Sequence, residues 1–332
     1  MPTLYEWAGG EEAFGRLINV GGITALLAAA LALGACGGGD GDDGSSGRVP
    51  AARCTPAPGT SSTLRIEPKW SVGDARQITI SKTREASGED AQESSSSAAL
   101  SVLEAGPKGS RLRWKSDELD LTDEQVSADA SARLKEVAEG FEVIYTTDRD
   151  GSYIAKRNVP QIRGQLTKML DLLEEDSDDA LAVTRTRPVI LSTNFIQASI
   201  VKEIPLLHSA YGLELTEGKP ESIASQTPNP FGGRALRAKG TVELVEARNQ
   251  AGCAIVELDV RPNRDDLAES IADAFGAKEA PAEAKRAGLS LHNTARYTYD
   301  PGSGWFVRVD TTQSVKIGTQ GRSDVTVLTT RA

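Results

Sequence analysis

Beyond about residue 63, apolar and polar positions alternate in steps of two over most of the chain, and that spacing predicts strands. A first run crosses Gln77–Lys82, entered from a turn at Val72-Gly73-Asp74. Residues 86–97, "ASGEDAQESSSS", read as a polar loop or hairpin tip. "AALSVLEA" and "SRLRWKS" follow as strands joined by the turn "GPKG". "FEVIYTTDRDGSYIAKRNV" alternates on both sides of Asp150-Gly151, the pattern of a hairpin. "RALRAKGTVELVEARNQAGCAIVELDVRPN" does the same around Asn249–Gly252. The section from Leu289 holds three alternating runs with turns at "DPGSG" and "TQGR", a terminal meander given bulk by Tyr297, Tyr299, Trp305 and Val307.

The spacing changes to a helical one in a few places. Asn158 stands where a helix N-cap would, with Pro160 in the first turn and Gln161 at the capping-box position. Ile162, Leu166, Met169, Leu170 and Leu173 then share one face, which predicts a helix over 158–176 packed on the core. Residues 188–204 form a second apolar segment, helical after Pro188, and "PLLHSAYG" beyond it reads as a strand. Residues 117–140 and 263–287 are acidic, Ala-rich helical excursions. About ten hairpin-linked strands imply one antiparallel sheet, whose apolar face must be covered. The expected fold is α+β: a large curved antiparallel β-sheet, an open half-barrel, with two or three helices packed on its concave face. That architecture resembles the half-barrel of LolA-like periplasmic lipoprotein carriers. The stretches "WSVGD", "DRDGSYIAKRNV", "PNPFGG" and "YDPGSGWFVRVD" resemble segments of uncharacterised bacterial envelope lipoproteins; that resemblance implies a fold and no activity.

The N-terminal part follows different rules. "LINVGGITALLAAALALGA", residues 17–35, is an apolar core ending in small residues before a cysteine. Leu33-Gly34-Ala35-Cys36 resembles the lipobox of bacterial lipoprotein signal peptides. The resemblance implies cleavage after Ala35 and acylation of Cys36, with acyl chains contributing about 0.8 kcal/mol per buried CH₂ to a membrane anchor. An uncleaved membrane helix is the alternative, at the short end for a span and interrupted by Asn19, Gly21 and Gly22. "GGGDGDDGSSG" after Cys36 is too polar and glycine-rich to fold and suits a tether. The expected organisation is therefore a signal peptide over 1–35, a lipidated cysteine and tether over 36–62, and one β-rich exported domain over 63–332. Gly37 stands where an aspartate would signal inner-membrane retention, which points to the outer membrane where a cell has one. The first 16 residues, "MPTLYEWAGGEEAFGR", lack the basic opening of a signal peptide and resemble the start of truncated haemoglobins. A globin needs a downstream proximal histidine, and His208 and His292 lie far beyond its reach, so this stretch reads as an unusual leader.

Charge and chemistry narrow the function by exclusion. The net charge of −10 argues against nucleic acid and against a polybasic membrane patch. With Cys36 acylated, Cys54 and Cys253 remain in an oxidising compartment; they are either a disulfide, worth about 4–5 kcal/mol for so long a loop, or two unpaired thiols. The cysteine spacing offers no zinc motif. "DRDG" places Asp148, Asp150 and Gly151 as in a calcium loop, but Arg157 falls where the bidentate glutamate must be. No G-x-S-x-G, HExxH or P-loop is present. His208 beside Ser209 would point away from it on a strand, so His208 reads as a structural histidine, and His292 falls on a polar phase. The expectation is a non-catalytic, lipid-anchored envelope lipoprotein without cofactor or metal. It would bind an apolar ligand or lipid under its sheet, or act as a structural or protein-interaction lipoprotein with a solid core.

Overall fold

The structure, a computed structural model, describes Cys54 and residues 62–88, 90–116, 128–176, 180–227, 236–274, 290–317 and 320–331. The chain forms β1 (Thr63–Arg65), β2 (Ala75–Ala86), β3 (Gln92–Gly106), β4 (Gly109–Ser116), α1 (Ala128–Ala138), β5 (Glu142–Thr147) and β6 (Tyr153–Lys156). Four helices follow: α2 (Val159–Asp176), α3 (Ala180–Ile190), α4 (Thr193–Ser199) and α5 (Glu203–His208). Then come β7 (Glu214–Thr216), β8 (Glu221–Thr227), β9 (Leu236–Glu246), β10 (Ala254–Pro262), α6 (Arg264–Ala274), β11 (Ser290–Asp300), β12 (Trp305–Ile317) and β13 (Gln320–Arg331).

Eleven strands make one open antiparallel sheet in the order β6-β5-β4-β3-β2-β13-β12-β11-β10-β9-β8. It is two meanders joined at their first and last strands. β2 pairs with β13, from Gln77↔Arg331 to Ala86↔Arg322, so the two ends of the domain meet in the centre of the sheet. The short strands β1 and β7 pair separately. This is the α+β architecture that the alternation implied, with thirteen strands and six helices among the described residues where about ten and two or three were expected.

The alternation shows which face is covered. On β2, Ile78 and Ile80 are buried; on β3, Ala98, Leu100 and Val102; on β4, Leu112 and Trp114; on β5, Val143 and Tyr145. These join Ile162, Leu166, Met169 and Leu170 of α2 and Phe195, Ile196, Ile204 and Leu207 of α4 and α5 in one continuous core. Residues of the opposite phase, such as Arg111, Arg113, Glu257 and Arg296, face water.

Four local expectations need correction. Ser94–Ser97 are strand, not loop: β3 starts at Gln92 because β2 continues to pair with it as far as Arg84↔Gln92, and cross-strand bonding overrides the weak strand preference of serine. The apolar segment after Pro188 is not one helix. Pro188 lies in the last turn of α3, and short helices α4 and α5 follow. "PLLH" is helical because Pro205 falls in the first turn of α5, where its missing N–H costs nothing. Asn158 does precede α2, but its side chain serves β5 instead of the helix: Oδ1 accepts from Ile144 N and Nδ2 donates to Glu142 O.

Candidate functional site

The covered sheet face contains two contrasting zones. The first is aromatic and lies under α5. Trp70, in the segment before β2, stacks on Trp305 with centroids 4.9 Å apart and meets Tyr211 edge-on at 5.2 Å. Trp70 Nε1 and Tyr211 Oη both donate to Gly304 O, at 3.1 and 2.7 Å. Lys69 Nζ donates to Pro301 O at 2.6 Å and Tyr299 Oη to Glu67 O at 2.7 Å, so the turn between β11 and β12 is laced to the start of the domain. Glycine is required at two points of this junction. Gly304 has φ +71°, and a Cβ there would lie 2.4 Å from Lys69 N; Gly151 has φ +94°, and its Cβ would lie 2.9 Å from Tyr211 Cδ1.

His208 closes this zone. Its Nδ1–H donates to Gly151 O at 2.8 Å and its Nε2 accepts from Tyr145 Oη at 3.0 Å, which fixes a neutral imidazole with both nitrogens satisfied. Burial, opposed by the Gly151 carbonyl, lowers its pKa to about 4. The void enclosed by Trp70, Leu100, Leu207, His208, Tyr211, Trp305, Phe306 and Thr330 is about 10 Å³. That is room for no more than about one water.

The second zone begins where the same strands turn polar. Directly paired residues share a face, as do residues two apart on a strand. On β2, Ile78 and Ile80 give way to Lys82 and Arg84; on β13, Leu328 gives way to Thr326, Asp324 and Arg322; on β12, Val309 gives way to Thr311 and Gln313; on β11, Tyr297 gives way to Ala295 and Asn293. The register aligns these changes, with Lys82 opposite Thr326, Arg84 opposite Asp324, Asp324 opposite Gln313 and Gln313 opposite Asn293. A second apolar cluster, Leu236, Leu267, Ala268 and Leu291 with Val315 against it, bounds the far side beside α6. The result is a polar band lying between two apolar clusters.

The turn between α4 and α5 borders this band. Val201, buried, has φ +49°, the only positive φ outside glycine among the described residues. A β-branched residue in that region stores about 1–3 kcal/mol and marks a segment held by its surroundings. The next two residues are Lys202 and Glu203. Glu203, 2% exposed, lies with Oε1 2.9 Å from Lys82 Nζ. Burial acts to raise its pKa, but Lys82 and Lys202 outweigh it and hold the carboxyl below its ordinary value. Asp324 is gripped by Arg84 at 3.0 Å and Arg322 at 2.8 Å, and these too outweigh burial and keep it ionised. Lys202 is mostly buried and makes no side-chain hydrogen bond or ion pair among the described residues; burial lowers its pKa. Lys156, beneath, donates to Gln197 O at 2.6 Å, and burial, opposed by Glu203, lowers its pKa to about 7.

The sequence-predicted residues fall elsewhere. Leu33, Gly34, Ala35 and Cys36 lie outside the described residues. Cys54 and Cys253 are joined by a disulfide with Cα atoms 5.1 Å apart, tying the segment before β1 to the turn before β10. "DRDG" is a hairpin turn in which Asp148 Oδ1 accepts from Asp150 N and Ser152 N. His292 is on the outer face, 2.9 Å from Asp259. His208 ends a helix instead of lying on a strand. A depression of about 460 Å³ on the outer face is lined by Arg111, Arg157 and Asn158, among others. Those groups are already engaged, Arg111 with Glu104 at 2.7 Å and Arg157 with Thr146 at 3.0 Å. The polar band was missed in the sequence. Its one legible signal is that Lys82 and Arg84 occupy the same phase of β2 as Ile78 and Ile80.

Fold and site together define an α+β domain with an open eleven-stranded antiparallel sheet, covered on one face, and a charged band within that face. No protein-family model and no curated protein matches the chain.

Proposed function

We propose that this chain is a lipid-anchored cell-envelope protein, held through Cys36, whose domain is a non-catalytic binding module acting through its polar band. One observation carries this choice between the two functions open to the sequence. The space between sheet and helices at the aromatic zone is filled by hydrogen-bonded aromatic side chains, leaving a void of about 10 Å³. An apolar ligand of lipid size needs a cavity of roughly 300 Å³ or more. The filled interior favours an interaction lipoprotein over a carrier with a preformed chamber. The charges of the band are arranged as ion pairs beside Lys202, an arrangement suited to binding a charged group.

Two measurements test this. Cys36→Ser should move the protein from the membrane fraction to the soluble one and remove the acyl mass; retention in the membrane would sink the anchor. A protein beginning at Arg48, which keeps every described residue, should give a bare mass in native mass spectrometry after export to a bacterial periplasm. A discrete apolar adduct would reinstate the carrier.

A further inference from the structure

We propose that the polar band is an anion site for a phosphate-type oxyanion, with Lys202, Lys82, Arg84 and Arg322 as its binding groups. This rests on the band being the working surface of the domain.

The argument starts from charge. The protein as a whole carries −10, yet the band sets four cations, Lys82, Arg84, Lys202 and Arg322, against two carboxylates, Glu203 and Asp324. Both carboxylates are already engaged, Glu203 by Lys82 and Asp324 by the two arginines. Lys202 makes no side-chain hydrogen bond or ion pair among the described residues; Glu203 and Asp324 attract it while Lys82 and Arg322 repel it. A mostly buried ammonium without a hydrogen-bond partner is costly, because it has lost water and gained no acceptor. Lys202 follows Val201, whose left-handed backbone is held by its surroundings. An anion placed among these four groups would balance the excess charge and give Lys202 the acceptor it lacks.

The chemistry of the band selects the kind of anion. The excess is two positive charges, which a phosphate ester carrying about −1.5 to −2 would balance. Arg84 and Arg322 present guanidinium forks suited to a tetrahedral oxyanion. Their side chains are 35% and 34% exposed, so the band is open to solvent on that side. Thr311, Gln313 and Asn293 supply neutral polar groups on the same face. Ser96, opposite Ile80 at the apolar edge of the band and two residues along β3 from Ser94, holds a buried hydroxyl without a hydrogen-bond partner.

The test is thermal unfolding of the full chain at constant ionic strength, with millimolar inorganic phosphate or pyrophosphate replacing chloride. Wild type should gain several degrees, because a ligand that binds only the folded state raises its stability. Lys202→Met should melt higher than wild type in chloride, since the unpaired cation is gone, and should gain nothing from phosphate. Arg322→Gln, a milder change at the open side, should keep the fold and lose most of the gain. Equal gains in wild type and Lys202→Met would overturn the site, as would no gain in wild type. Calorimetric titration with dihexanoylphosphatidylglycerol then separates the sources. Tighter binding than inorganic phosphate assigns a lipid headgroup; equal or weaker binding assigns a soluble phosphate compound. If phosphate fails while the native mass stays bare, this inference falls and the proposed function stands.

Discussion

The aromatic zone and the polar band occupy one face of one sheet and share four strands, yet they meet opposite demands. In the aromatic zone each buried polar atom of Trp70, His208 and Tyr211 has a partner, Trp305 Nε1 is buried without one, and side chains fill the space. In the band the groups are charged, positive charge is in excess, and Lys202 makes no direct hydrogen bond or ion pair among the described residues. A filled interior whose polar atoms are mostly paired specifies a fold. An unbalanced polar one is retained at a cost to stability, and such imbalances gather at functional sites. The strained Val201 lies on the polar side of the divide, where that reasoning places it.

The difference can be broken most forcefully from the aromatic side. Trp70→Ala removes a buried ring stacked on Trp305 together with the hydrogen bond to Gly304 O. It should cost about 3–5 kcal/mol in denaturant unfolding; a cost below about 1 kcal/mol would mean that the zone is not a packed core. From the polar side, Glu203→Gln leaves Lys82 and Lys202 unopposed and should cost about 3 kcal/mol. The pair Lys82→Met with Glu203→Leu should be close to neutral, since an apolar replacement of a buried ion pair commonly is. A double replacement as damaging as Glu203→Gln alone would contradict this electrostatic account.

A smaller effect separates the zones by pH. His208 titrates at about 4 in the folded protein and near 6.5 when unfolded, so within that range only the unfolded chain is protonated. Its contribution to stability is complete above pH 6.5 and is lost as pH falls towards 4. Lys156 follows the same sign at higher pH. Its folded value near 7 lies below the ordinary 10.5, so its contribution is complete above pH 10.5 and is lost as pH falls towards 7. Stability measured against pH should therefore rise in two separate windows. Lys156→Met should reduce the upper rise, to which Lys202 adds with the same sign, and leave the lower one in place.

Much of the sheet is legible from alternation and turns. The meander β11–β13 and the hairpins β5–β6 and β9–β10 lie where period-two runs flank glycine-containing turns. The aromatic zone is not legible, because Trp70 and Gly304 are 234 residues apart and nothing local announces their contact. Nor are α3–α5: Pro188 lies inside α3, against the usual rule, and Pro205 lies in the first turn of α5, where its missing N–H is tolerated, so neither marks the break between helices. The band is hidden for another reason. Lys82, Arg84 and Asp324 occupy inward phases of their strands, and a charged residue on an inward phase looks like a strand leaving the core. Only register shows that these residues meet across neighbouring strands.

The most direct test of the central claim, that helices and sheet close over a filled core, is hydrogen exchange of the Trp70 indole proton, followed by nuclear magnetic resonance across low denaturant concentrations. Trp70 Nε1–H is donated to Gly304 O in the interior. The filled-core account predicts exchange only through global unfolding, with the same free energy and denaturant dependence as the whole domain. Exchange through a smaller opening with weak denaturant dependence would show that the helices lift from the sheet in the native state, and would contradict the account in favour of a chamber that opens for an apolar ligand.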